Sequence, residues 1–255
     1  MTNSMFDLTG KVAIITGSTR GIGRAIAEAM ARAGAKVVIS SRKAEMCEEV
    51  ASAIKAEGLE ATAIPANIGK KEDVENLVAE TRKRYGQIDV LVCNAAVNPY
   101  YGPLAGASDE VFAKIMGSNI LSNMWLCNLV LPEMAERKDG SVIIVSSIGG
   151  LKGSTVLGLY AISKAADMQL TRNLAVEWSP HNIRINCIAP GLVKTDFAKA
   201  LWDNPAMLKQ TEALTPLRRI GESDDIAGAA VFLAARSGNW MTGQVIVIDG
   251  GVTIA

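Results

Sequence analysis

The run KVAIITGSTRGIGRAIAEAMARAGAKVVIS, from Lys11 to Ser40, decides the fold. Its first residues, Lys11 to Thr16, make a short continuous apolar block, the mark of a strand buried on both faces. Ile22, Ala25, Ile26, Ala29, Met30 and Ala33 then recur on one helical stripe. Gly34 closes that helix, and Lys36 to Ser40 (KVVIS) reads as the next strand. Strand, glycine-rich turn, helix, strand is a βαβ unit. At the start of its helix the backbone N–H groups have no intrahelical partner, and glycines let a pyrophosphate come close to them. The turn is Gly17, Ser18, Thr19, Arg20, Gly21, Ile22, Gly23, with spacing G-x-x-x-G-x-G rather than G-x-G-x-x-G. All seven are candidate cofactor-binding residues.

The tip of the second strand selects between dinucleotides. An acid there holds the ribose 2′-OH of NAD, whereas arginine accommodates the 2′-phosphate of NADP. The tip reads Ser40, Ser41, Arg42, Lys43, without an acid, and Arg20 in the glycine turn is a second candidate for the same phosphate. Ser41, Arg42 and Lys43 therefore point to NADP(H), with NAD(H) the alternative. The plainer reading is that Arg42 and Lys43 merely open a solvated helix.

Onward from there the pattern keeps alternating. A polar helix over Ala44 to Glu57 precedes a third strand, Glu60 to Ala66, closed by Asn67 and Ile68 where an adenine ring can rest. A helix over Lys71 to Tyr85 ends at Gly86. Ile88 to Cys93 is a fourth strand, and the small residues Asn94, Ala95 and Ala96 after it let a cofactor lie flat. Ser108 is an N-cap candidate for a helical pattern running to about Lys138, which carries Asn119 in mostly apolar company. Ser141 to Val145 is a fifth strand, followed by Ser146, Ser147 and a helix bearing Tyr160 and Lys164. Asn182 to Ala189 is a sixth strand broken by Pro190 and Gly191. Helical pieces over 196–217 carry Phe197, Leu201, Trp202, Met207 and Leu208, either as a surface helix pair or as an apolar lid over about 192–217. Ser223 is read as the cap of a helix to Ala235, and Gln244 to Asp249 is a seventh strand. The prediction is one α/β domain spanning 1–255, a Rossmann-like, doubly wound parallel sheet of seven strands with helices on both faces and ligand groups at the strands' carboxyl ends.

Composition narrows the function. The 26 basic and 26 acidic residues balance, so no nucleic-acid footprint is expected. The four cysteines, Cys47, Cys93, Cys127 and Cys187, are far apart, and His181 is the one histidine, set in a polar turn. Neither a metal site nor a disulfide frame is expected, and the thiols suit a reducing compartment. Met1 to Gly10 lacks the pattern of a signal peptide, and no apolar run is long enough to span a membrane, so a cytoplasmic location is expected.

Tyr160 and Lys164 stand at i and i+4 and leave one face of their helix. A lysine ammonium pulls a tyrosine pKa down from about 10, and a tyrosine poised near neutrality exchanges a proton with a carbonyl or alcohol oxygen. Taken by itself this pair is more often an ordinary surface pair.

Five motifs in order then resemble the short-chain dehydrogenase/reductase family over about residues 8–251: TGSTRGIG (16–23), CNAA (93–96), Asn119, SSIGG…YAISK (146–164) and APGLVKT (189–195). The resemblance implies a tetrad of Asn119, Ser147, Tyr160 and Lys164, with Ser147 preferred to Ser146 for its separation from Tyr160. In the family the tyrosine is the general acid/base, and the lysine lowers its pKa and binds the nicotinamide ribose. The serine orients the carbonyl, and the asparagine supports a water relay toward the lysine. The resemblance also implies that Pro190, Gly191, Val193 and Thr195 hold the nicotinamide end. SSRK (40–43), NAAVNP (94–99) and APGLVKT with the downstream Leu201 and Trp202 are similar to the NADPH-dependent retinol dehydrogenase/carbonyl reductase subgroup, which implies NADP(H) and a bulky or apolar carbonyl substrate. The chain ends Val252, Thr253, Ile254, Ala255, so the peroxisomal signal of mammalian members is not expected. Two positions depart from the pattern: Asn67-Ile68 stands where Asp-Val is frequent, and Ala96 replaces a customary glycine. A homotetramer through the helices near 109–137 and 158–179 is also implied. Rival readings are a 3-oxoacyl-carrier-protein reductase, which would want a basic cleft mouth such as Arg218 and Arg219, and a non-catalytic dinucleotide-binding sensor.

Overall fold

β1 (Val12–Thr16) is buried along its whole length and lies in the interior of the sheet, as its apolar block requires. The computed structural model describes residues 5–255; Met1 to Ser4, part of the stretch read above for a signal peptide and of the 1–255 domain, lie outside the described residues. After β1 come α1 (Gly21–Arg32), β2 (Lys36–Ser40), α2 (Ala44–Ala56), β3 (Ala61–Ala63), α3 (Lys71–Tyr85) and β4 (Val90–Cys93). Then follow α4 (Asp109–Met116), α5 (Ser122–Arg137), β5 (Gly140–Val145), α6 (Gly158–Trp178) and β6 (Ile183–Pro190). The chain finishes with α7 (Lys199–Trp202), α8 (Pro205–Leu214), α9 (Asp224–Ala234) and β7 (Val245–Ile248).

The seven strands are parallel in the order β3-β2-β1-β4-β5-β6-β7. Winding reverses between β1 and β4, which opens a crevice at their carboxyl ends. Successive strand residues face opposite sides. Ala13 and Ile15 therefore pack with Ile26 and Met30 of α1, while Ile14 packs on the other side with Leu77 of α3 and Leu126 of α5. Each such fully buried aliphatic side chain is worth about 1.5–3 kcal/mol.

The differences from expectation have local causes. β3 is shorter than Glu60–Ala66 because Pro65 has no N–H to give, although Ile64 and Ala66 still donate to Ile39 and Ser41 at 3.0 Å each. The helix expected through to Lys138 is interrupted: Gly117–Leu121 forms a π-helical turn between α4 and α5. Pro190 does not break β6 but ends it, pairing with Ile248 two residues beyond the last β5 partner, Ile188. Ser108 does cap α4, accepting from Val111 N–H at 3.4 Å. Ser223 does not cap α9; its backbone is already helical, and the Asp225 carboxylate instead accepts the Glu222 N–H at 2.8 Å.

Candidate active site

The glycine turn joins β1 to α1 at the crevice. Gly17 and Gly21 have φ of 67° and 54°, a backbone that side chains other than glycine rarely adopt. A Cβ on Gly23 would collide with the Gly17 carbonyl and the Asn94 amide, so the turn closes tightly only on glycine. α1 begins with no side-chain cap and no acid in its first turn, leaving its N–H groups and dipole to an anion. These residues fit a dinucleotide pyrophosphate. Not every residue of the turn faces it. Ser18 is fully buried, donating to the Ile15 carbonyl at 2.7 Å and accepting from Ser40 N–H at 2.9 Å, so it staples β1 to β2. Asn94 serves the turn from beneath: its amide donates to the carbonyls of Thr16 and Gly17 at 2.8 and 3.3 Å. Ala95 packs under Gly17.

At the tip of β2, Arg42 and Lys43 are exposed. Arg20 is also exposed and meets Asp196 at 3.5 Å. An exposed pair at that distance is worth about 0–1 kcal/mol and yields readily to another anion. Asn67 turns its carbonyl oxygen to Gly69 N–H at 3.1 Å, while its own backbone N–H goes to Asp73 at 2.9 Å. Its side-chain amide N–H groups have no partner among the described residues. Ile68 is half-buried beside it.

Four chain segments converge beyond the carboxyl end of β5. Ser147 sits in extended backbone just past the strand, accepting from Gly149 N–H at 3.0 Å and reaching the Tyr160 hydroxyl. Ser146 points the other way and donates to the Lys164 carbonyl at 2.7 Å, a structural tie. Lys164 is buried, with its ammonium 5.7 Å from the Tyr160 ring centre. It donates to the Val145 carbonyl at 3.0 Å and to Asp167 at 2.8 Å. Asn119 is 1% exposed and lies in the π-helical turn. Its side chain clasps the backbone of Val97, accepting its N–H at 2.9 Å and donating to its carbonyl at 3.1 Å, and also donates to Ser163 at 3.0 Å.

Electrostatics here run against the sequence expectation for Tyr160. Burial pushes its hydroxyl above the ordinary tyrosine value; the Lys164 ammonium opposes the rise only in part, the Asp167 carboxylate adds to it, and the Ser147 hydrogen bond opposes it. Burial also disfavours the Lys164 ammonium, but Asp167 and Tyr160 outweigh that and hold it protonated.

The segment after β6 crosses back over the glycine turn, with the Thr195 methyl packed at Gly21. Its base is pinned by a parallel bridge between Val193 and Gly221. From this base α7 and α8 project. Phe197 sets its ring 6.0 Å from that of Tyr160, and Trp202 donates to the Thr195 carbonyl at 2.9 Å. A cavity of about 270 Å³ lies next to Gly191, Leu192 and Val193, walled by Ile148, Thr215, Ile248 and Val252, with Lys152 at its edge. Tyr100 donates its hydroxyl to the Pro103 carbonyl in its own loop at 2.7 Å. Arg219 is paired with Asp225, whose carboxyl it holds down at about 2. His181 precedes β6, at the opposite end of the sheet, against Trp178.

A family model described as enoyl-(acyl carrier protein) reductase matches residues 17–253. Dehydrogenase/reductase SDR family member 4 of Sus scrofa is 44% identical over 244 residues, 96% of this chain and 88% of that protein. The chain belongs to the short-chain dehydrogenase/reductase (SDR) family. Human dehydrogenase/reductase SDR family member 2, mitochondrial, is 43% identical over 95% of this chain and 86% of its own length. Among solved structures, a gluconate 5-dehydrogenase from Burkholderia cenocepacia in complex with NADP and tartrate superposes with TM-score 0.95 at 31% identity, covering all of both chains. A 7α-hydroxysteroid dehydrogenase complexed with NADH and 7-oxo glycochenodeoxycholic acid gives 0.94 at 34% identity, covering 98% of this chain and 97% of that one.

This SDR oxidoreductase carries two site residues that sequence reading missed. Asp167 is fully buried, and Asn123 donates to it at 3.0 Å across from α5. A signal was available: Asp167 stands three residues after Lys164, on the same helix face.

Proposed function

We propose that the chain is an NADP(H)-dependent oxidoreductase that interconverts a ketone or aldehyde with an alcohol, using Tyr160 as general acid/base. The observation that carries this reading is the meeting of Ser147, Tyr160 and Lys164 beside the glycine cradle. The nicotinamide, when bound, gives or takes the hydride. Pro190, Gly191, Val193 and Thr195 would hold its carboxamide end, and Lys164 its ribose. In reduction Tyr160 delivers a proton from its hydroxyl to the carbonyl oxygen, while Ser147 donates a hydrogen bond to the same oxygen. In oxidation the deprotonated Tyr160 oxygen takes the alcohol's hydroxyl proton, and Ser147 steadies the same substrate oxygen. Asn119 keeps the Val97 loop and the π-helical turn together around Lys164. Phe197 sets an apolar ring beside Tyr160, which favours an apolar group next to the substrate carbonyl.

The phosphate preference rests on Arg42, Lys43 and Arg20 around a strand tip that lacks an acid. Fluorescence titration with NADPH and NADH tests it. NADPH should bind at least tenfold more tightly, a difference of about 1.4 kcal/mol. Arg42→Ser should weaken NADPH binding and leave NADH unchanged. Equal affinities in the wild-type protein would sink the NADP(H) assignment.

A cytoplasmic homotetramer is part of the same proposal. No helix among the described residues is long and apolar enough to cross a membrane. Phe112, Met124, Ile162 and Val176 of α4, α5 and α6 are exposed, and the edge strand β7 is only partly covered. Such uncovered apolar surface favours association. Sedimentation velocity at micromolar concentration should show a tetramer, and a monomer would overturn this part.

A further inference from the structure

We propose that Asp167, held in place by Asn123, is a positioning residue for Lys164, fixing its ammonium at the end of β5 and offsetting its charge toward Tyr160. The inference rests on the functional reading above.

The geometry is a closed chain of donors and acceptors linking α5 and α6. One carboxylate oxygen of Asp167 accepts the Lys164 ammonium at 2.8 Å, and the other accepts the Asn123 amide at 3.0 Å. That amide also donates to the Asn119 carbonyl at 2.7 Å, so both of its N–H groups are committed. The side chains of Lys164 and Asp167 are 3% and 0% exposed. An ammonium has three donors. Val145 and Asp167 take two, leaving one directed by this frame rather than by the flexible lysine stem.

The charge consequence follows from what surrounds the pair. Cys187 on β6 and Cys93 on β4 face it, but burial pushes Cys187 up to about 12, and its partner Cys127 and burial push Cys93 well up, so both stay neutral thiols. Tyr101 in the loop after β4 is the other titratable neighbour of Tyr160. Within this set the charged contact is the ion pair of Lys164 with Asp167 at 2.8 Å. Their charges cancel, and Tyr160 feels a nearly neutral pair rather than a bare cation. Removing the carboxylate charge leaves the Lys164 ammonium unopposed and makes loss of the Tyr160 proton easier.

Ultraviolet difference titration of tyrosinate reads this without turnover. The Tyr160 signal is isolated by subtracting the same titration of a Tyr160→Phe background. Asp167→Asn should move that titration to lower pH by about one unit or more, the scale of a single charge at contact range. Asp167→Glu should return it toward wild type. Asp167→Leu removes the charge while filling the space, and it should show the same downward shift if the asparagine variant does not fold. Neutral variants that titrate with wild type would overturn the proposal, since a merely structural aspartate would change stability and leave this titration in place. That failure is distinct from failure of the functional reading, which shows as retained turnover in Tyr160→Phe itself.

Discussion

Tyr160→Phe is expected to abolish nearly all carbonyl–alcohol turnover while leaving NADPH binding and the fold intact. The substitution removes one oxygen and keeps the ring, so the contact with Phe197 at 6.0 Å and the packing against Lys164 survive. What disappears is the single group placed between Ser147 and Lys164 that can pass a proton to a carbonyl oxygen. General acid–base catalysis of this kind contributes about 10²- to 10⁴-fold. The loss should fall on kcat, with cofactor affinity unchanged by fluorescence titration. Burial holds the Tyr160 hydroxyl above its ordinary value, so at neutral pH the residue is an acid ready to donate and a scarce base. Alcohol oxidation should accordingly rise with pH toward the alkaline side, whereas ketone reduction should be nearly flat across neutral pH. Wild-type rates in the phenylalanine variant would sink the mechanism.

Lys164→Met should be among the most destabilising single substitutions in the site. Removing the ammonium leaves Asp167 buried with Asn123 as its only side-chain donor among the described residues, and breaking a buried pair on one side costs about 3–5 kcal/mol. That is a large share of the roughly 5–15 kcal/mol available to a domain. The pH dependence has a definite sign. Burial already raises the Asp167 carboxyl above its usual range in the folded protein, and loss of Lys164 takes away the main opposing influence. A carboxyl raised on folding contributes its full stability below its unfolded value of about 3.9 and loses it as pH rises through the folded value. The deficit of the methionine variant should therefore be larger at neutral pH than in mild acid. Urea unfolding at both pH values measures it. The double variant Lys164→Met with Asp167→Leu should recover much of the stability, because no charge is then left stranded. A double variant no more stable than the single one would show that the pair's charge is not the cause.

Much of the site was legible because its signals are local. The glycine turn announces itself by a strand before it and a periodic helix after it, and Gly17, Gly21 and Gly23 each answer a steric demand within a few residues. Tyr160 and Lys164 share a helix face by spacing alone. Ser147 could be preferred to Ser146 by spacing within the family pattern, and the structure shows Ser146 tied to the Lys164 carbonyl. Less visible were the roles of Ser18 and Asn94, which belong to the nucleotide turn but hold it from inside. The π-helical turn that carries Asn119 was hidden as well, since an inserted residue barely disturbs an apolar pattern over a long helix.

By itself the sequence determined the alternation of strands and helices, the sheet's doubly wound class, the glycine turn between β1 and α1 and the Tyr160–Lys164 face. These depend on periodicity, on glycine stereochemistry and on turn chemistry, all of which act over a handful of neighbours. Only the tertiary structure decided the ionic state of the site. Asn123 and Asp167 are 44 residues apart and meet because α5 and α6 pack side by side. Tyr160 is raised rather than lowered because burial outweighs one partly neutralised lysine. Desolvation and the pairing of buried charges depend on what the packed helices exclude and enclose, a quantity that exists only once the chain has folded.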